Sequence, residues 1–120
     1  MRLIPRVRAF EARGVSLKYP SRSRSGVRAD DGAVILAIRA RDLRRSRRGS
    51  RCVVWKPDDA RAPLDASRDE LREHCRLAAL RGNAEGLLTY GDASQADPDV
   101  VLPLRVVRRG AEYWAEIKLS

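Results

Sequence analysis

Apolar positions recur with a period of two in several short runs of the chain, and with a helical period in one longer run. The first runs are Val7, Ala9 and Glu11, then Val15, Leu17 and Tyr19, with Ala12-Arg13-Gly14 between them. This pattern predicts a β-hairpin, because Gly14 can take the positive φ that a short connection demands. A short helix competes with it. Leu3, Val7 and Phe10 have helical spacing, Pro5 suits the first turn, and Gly14 suits the position just past the last. From Pro20 to Gly32 the pattern lapses. Ser21-Arg22-Ser23-Arg24-Ser25-Gly26 has no apolar anchor, so residues 20–32 read as a mobile Ser/Arg loop.

Residues 33–40 carry the clearest strand signal. Ala33-Val34-Ile35-Leu36-Ala37-Ile38 is continuously apolar, which predicts burial on both faces. An Arg-rich loop is expected over 41–51, followed by the strand Cys52-Val53-Val54-Trp55. Lys56-Pro57-Asp58-Asp59 closes that strand, because Pro57 has no ladder donor and biases Lys56 to extended geometry. The helical run covers about 68–81. Ser67-Arg68-Asp69-Glu70 fits a capping box, Leu71, Cys75, Ala78 and Ala79 share a face, and Gly82 or Asn83 suits the left-handed C-cap.

Beyond the helix, Leu87 to Tyr90 reads as a strand and Ala93 to Asp99 as an acidic loop. Val100 to Val107 reads as a strand that Pro103 confines to an edge or breaks at a bulge. Glu112 to Leu119 returns after Arg109-Gly110 as the second arm of a hairpin, with Tyr113, Ala115 and Ile117 alternating with Trp114, Glu116 and Lys118. The expected architecture is α+β: a mainly antiparallel sheet of about five to six strands packing one main helix (about 68–81) and ending in a C-terminal β-hairpin. The 120 residues suit a single small domain.

Charge sharpens this picture. The chain carries a formal net charge of +9 and 43% hydrophobic residues, so a core is available to it. Its cations are 22 arginines and only three lysines. A GC-rich genome, as expected of a small bacterial protein, would account for Arg over Lys, but not for the excess of cations over acids. Residues 1–56 hold 16 Lys and Arg against four acids, a balance of +12, and residues 57–120 hold nine against twelve, a balance of −3. Such polarity suits a face that meets a polyanion or a neighbour's acidic surface.

The candidate site is the dense tract Arg39, Arg41, Arg44, Arg45, Arg47, Arg48 and Arg51, which only Asp42 opposes. Guanidinium forks match phosphate and carboxylate oxygens. The expected function is therefore a small non-enzymatic domain that binds nucleic acid or another polyanion through 39–51. The alternative is an interaction or self-associating domain, using the edge near Pro103 or the basic loop against an acidic protein surface. A continuous patch with Arg6, Arg8 and Arg13 would favour nucleic acid, whereas neutralisation by Glu112, Glu116 and Asp58-Asp59 would count against it. Trp55, Tyr90, Tyr113 and Trp114 are the aromatics that could line one sheet face for stacking.

Other chemistry is weakly represented. His74 and Cys75 are adjacent on the helix and so do not share a face. Cys52 and Cys75 lack metal-ligand spacing. Asp58-Asp59 and Asp97/Asp99 read as turn residues beside prolines, and no phosphate-cradling glycine loop occurs. No enzyme, no cofactor and no metal is expected. The longest apolar run is too short for a membrane span, no secretory signal is visible, and reduced thiols suit a cytoplasmic protein. The Arg- and Ser-rich first 28 residues have transit-peptide composition, but the alternation of Val15, Leu17 and Tyr19 argues for a folded segment.

Overall fold

A computed structural model of the chain describes residues 2–46, 49–57 and 66–118. The elements in order are β1 (Ile4–Pro5), α1 (Arg6–Ala12), β2 (Ser25–Val27), β3 (Val34–Arg39), a 3-10 turn (Ala40–Asp42), β4 (Arg44–Ser46), β5 (Gly49–Trp55), α2 (Ala66–Arg81), β6 (Ala84–Tyr90), β7 (Gln95–Arg109) and β8 (Glu112–Ile117). The strands form one sheet in the order β2-β3-β6-β7-β8-β5-β4, with β1 attached to β7. The α+β expectation holds: the sheet is mostly antiparallel, α2 is the main helix, and β7 and β8 form the C-terminal hairpin. One pair, β3 with β6, is parallel. The two faces of β3 explain how both helices find a place. Val34, Leu36 and Ile38 join Cys75, Ala78, Leu104 and Val106 in a core beneath α2. Ile35 joins Ala9, Phe10, Val15 and Leu87 in a second core beneath α1.

Arg6–Ala12 is a helix, not the first arm of the hairpin favoured above. Its buried residues, Arg6, Ala9 and Phe10, have helical and not alternating spacing. Gly14 decides the matter. At φ +81 it donates to the Glu11 carbonyl, while Val15 donates to that of Phe10, the two bonds of a Schellman stop. Val15 and Phe10 then pack together in the α1-side core.

The Ser/Arg segment is also more structured than expected. Ser25–Val27 is an edge strand paired with Leu36–Val34. Its anchors are polar. The buried Ser23 hydroxyl donates to Glu70 Oε1 at 2.7 Å, and Ser25 Oγ lies 2.7 Å from His74 Nδ1. Glu70 and His74 stand one turn apart on α2, so two serines clamp β2 to that helix. Glu70 thus faces Ser23, and Ser67 falls inside the helix, which begins at Ala66 instead of being capped at Ser67. Cys75 and Ala78 are buried as expected, Ala79 is exposed, and Gly82 closes α2 by donating to the Ala78 carbonyl.

Pro103 does not mark an edge. β7 runs from Gln95 to Arg109 and pairs with β6 over its first part and with β8 over its second. The Pro103 carbonyl accepts from the Lys118 N–H at 2.8 Å. A residue's N–H and C=O point to the same side of a strand. The missing donor therefore faces the end of β8, and no bond to β6 is lost. The acidic loop shrinks to a bulge in β7, where Asp97 Oδ1 accepts from the Asp99 N–H. A second bulge between Val53 and Trp55 lets Trp55 oppose Tyr113. Trp55 thereby turns onto the α2 side, where strict alternation would have sent it to the other face. Its ring meets Tyr113 edge-on, with centroids 6.5 Å apart.

Candidate nucleic-acid interface

The seven arginines of the predicted tract do not lie on one loop. Arg39 ends β3 and is half-buried. Arg41 is exposed on the 3-10 turn. Arg44 and Arg45 lie on β4, and Arg51 is exposed on β5. Arg47 and Arg48 lie outside the described residues. The register sets Arg44 opposite Arg51 and Arg45 opposite Ser50, so the basic segment is a two-stranded ribbon at the free edge of the sheet. Arg39 belongs to β3 and not to the two strands of the ribbon. It lines a small cavity of about 50 Å3 with Asp42, Cys52 and Leu71, where the curling sheet brings β3 close to β5.

The outer face of β5, β8 and the second half of β7 joins the ribbon. Alternation puts Arg51 and Val53, Trp114 and Glu116, and Arg105, Val107 and Arg109 on this face, because Cys52, Ala115 and Val106 face α2. None of the α1-side core residues comes from β5 or β8, so α1 does not reach across. Val53, Trp114 and Val107 form one cross-strand row, and Arg51, Glu116 and Arg105 form the next. The guanidinium carbons of Arg51 and Arg109 each lie 5.8 Å from the centroid of the half-buried Trp114 ring. Trp114 Nε1 donates to Glu112 at 3.0 Å, which fixes the indole. Among the described residues, Arg51, Arg105 and Arg109 enter no ion pair. Glu116 stands between Arg51 and Arg105 and offsets part of their charge.

Arg6 and Arg13 do not extend this patch, whereas Arg8 is exposed on α1. Arg6 is 8% exposed, and its terminal nitrogens donate to the carbonyls of Ala93 and Ser21 at 2.8 and 3.0 Å. Arg13 donates to the carbonyls of Gly86 and Val100. Burial lowers the pKa of both guanidiniums. They act as struts that satisfy carbonyls of the β6–β7 region. The four aromatics do not share one face: Trp55 and Tyr113 lie on the α2 side, Trp114 stands on the opposite face, and Tyr90 ends β6 opposite Gln95. The tract reading missed Arg105 and Arg109. Their only signal was the pairing of Arg109 and Glu112 across the Gly110 turn, which carries Arg109 to the flank of Trp114.

The two thiols are buried and the histidine is half-buried. Cys52 and Cys75 are free and share the α2-side core, where burial pushes both thiols up to about 12. Ser25 and His74 have the spacing of a nucleophile and its base, but Ser25 is 1% exposed and neither lines a described cavity. Burial lowers the His74 pKa, and Glu70 and Glu73 partly oppose the shift. Among the described residues no three His, Cys, Asp or Glu converge, and no helix is long and apolar enough to cross a membrane. Comparison with protein-family models, curated proteins and solved structures gives no match.

Proposed function

We propose that the protein is a non-enzymatic basic domain that binds nucleic acid on the outer face of β5, β8 and β7, extended by the β4–β5 ribbon. The observation that carries this reading is Trp114 held between Arg51 and Arg109 at the centre of that face. With both guanidiniums over the indole, a base stacks by joining this cation–π cluster, against the ring or a guanidinium plane, while the same cations neutralise neighbouring phosphates. Recognition of this kind is tolerant of sequence, because every base has a flat face and phosphates carry no sequence information. The ribbon adds charge at an edge that can follow a backbone or a groove. The protein acts in the cytoplasm, where both buried thiols stay reduced.

Fluorescence anisotropy with a labelled single-stranded RNA and a duplex DNA, each at two salt concentrations, tests the proposal. The single strand is expected to bind more tightly. Its log affinity should fall with log salt by roughly 0.7 per phosphate neutralised. Trp114→Ala should cost about 1–3 kcal/mol of single-strand binding, the usual worth of one stacked base. Arg51→Glu should weaken binding and flatten the salt dependence. Absence of binding at low salt, or binding indifferent to both substitutions, removes the reading. Capture of an acidic protein without any nucleic-acid binding replaces it with the interaction-domain alternative.

A further inference from the structure

The α2 side of the sheet holds a cavity that nucleic-acid binding on the outer face leaves unused. Its volume is about 280 Å3, and it lies between the first turns of α2, the end of β5 and the segment leading into β2. Val54, Trp55 and Leu71 form an apolar wall. Arg6, Arg22, Arg24, Lys56 and Arg68 also line it, and Asp92 is the one carboxylate among the described lining residues. The cavity opens on the opposite side of the sheet from Trp114, because the β5 bulge turns Trp55 to the helix side.

Among the described residues, three donors carried by these lining side chains have no acceptor. Trp55 Nε1, Arg6 Nε and Arg68 Nε are all shielded from solvent without a hydrogen-bond partner. A buried N–H left unpaired is costly, and an anionic oxygen is the acceptor that removes the cost best. The side chains that carry these donors are already held in place. Arg6 is tied to the carbonyls of Ala93 and Ser21. Arg68 donates to the carbonyls of Lys56 and Pro57, and its guanidinium carbon lies 5.5 Å from the Trp55 ring centroid. Little side-chain ordering therefore remains to be done when a ligand arrives.

We propose that this cavity binds a small organic phosphate carrying a flat apolar group, of nucleoside monophosphate size or smaller. Several guanidinium forks and an ammonium suit a multivalent tetrahedral anion, which has more acceptor positions than a carboxylate. The Val54–Trp55–Leu71 wall takes the apolar part, the usual division of labour in small-ligand sites. The volume sits at the small end of such sites, roughly 300 Å3 upward.

The test is a titration of the whole chain with adenosine monophosphate, inorganic phosphate and adenosine at low salt. It is read by calorimetry, and by fluorescence in the Trp114→Phe background, where Trp55 alone reports. Adenosine monophosphate is expected to bind saturably, phosphate more weakly, and adenosine not at all at the same concentrations. Trp55→Phe keeps the wall and removes one donor, and Lys56→Gln removes one charge. Each should weaken adenosine monophosphate about tenfold or more. Arg51→Glu on the outer face should leave this binding unchanged, which separates it from nucleic-acid binding. The proposal is overturned if neither phosphate compound binds saturably, if adenosine binds as well as its monophosphate, or if affinity is indifferent to both Trp55→Phe and Lys56→Gln in folded protein.

Discussion

Gly26 shows how closely α1 and its exit are set against the sheet. A Cβ built on this residue would lie 2.2 Å from Val15 Cγ1, far inside van der Waals contact. Gly26→Ala is therefore expected to destabilise the fold by about 1–3 kcal/mol, the range for an overpacked core, as a lowered urea midpoint. His74 is the residue whose effect depends on pH. Burial lowers its pKa below the ordinary 6.5, so below that pH the unfolded chain takes up a proton that the folded chain resists. The associated stability is present above 6.5 and falls as the pH drops toward the folded value. His74→Gln, which keeps an acceptor for Ser25, should flatten the urea midpoint between about pH 5 and about pH 7. An unaltered pH profile would show that His74 is equally basic in both states. None of this was legible in composition. The Ser/Arg segment looked unanchored because its anchors are hydroxyls that meet a helix 47 to 49 residues away.

Elements were legible where local chemistry and tertiary packing agree. The run at 33–38, the helix ending at Gly82 and the terminal hairpin each carry their own signal, and each is present. Residues 6–14 were ambiguous because Val7, Ala9 and Glu11 fit a strand as well as a helix in a window too short to separate the two periods. The Schellman stop at Gly14 resolves it. Gly14→Ala must place a Cβ at φ +81, so a loss of about 1–2 kcal/mol is expected, measurable by thermal melting. A melt equal to the wild type would mean that the stop does not hold α1 in place. β7 was misread for a different reason. A proline forbids only the bond its own nitrogen would make, and the sequence does not say which neighbour that nitrogen faces. The bulge at Trp55 was likewise invisible, because alternation from Cys52 and Val54 sends Trp55 to the wrong side.

Across the whole molecule, the +12 and −3 halves do not become two lobes. β5 from the basic half pairs with β8 from the acidic half, so Arg51 meets Glu116 across the sheet. Around Trp114 the arginines are fewer than the tract suggested: Arg51 and Arg109 lie over its ring, and Arg105 follows in the next cross-strand row. Of the seven arginines, Arg44, Arg45 and Arg51 lie on the two strands at one edge of the sheet. The seven-arginine reading missed the aromatic centre, because Arg109 reaches Trp114 only through the hairpin register. Self-association through an edge at Pro103 loses its basis, since β7 is paired on both sides and the free edges belong to β2 and β4. The most direct measurement is an amide and indole chemical-shift titration of isotope-labelled protein with a short single-stranded RNA at low salt. The largest shifts are expected at the Trp114 indole N–H and the amides of Arg51, Val53, Arg105 and Arg109. Shifts confined to the α1 side around Arg8 and Arg13, or no shifts at all, would contradict an outer-face binding site.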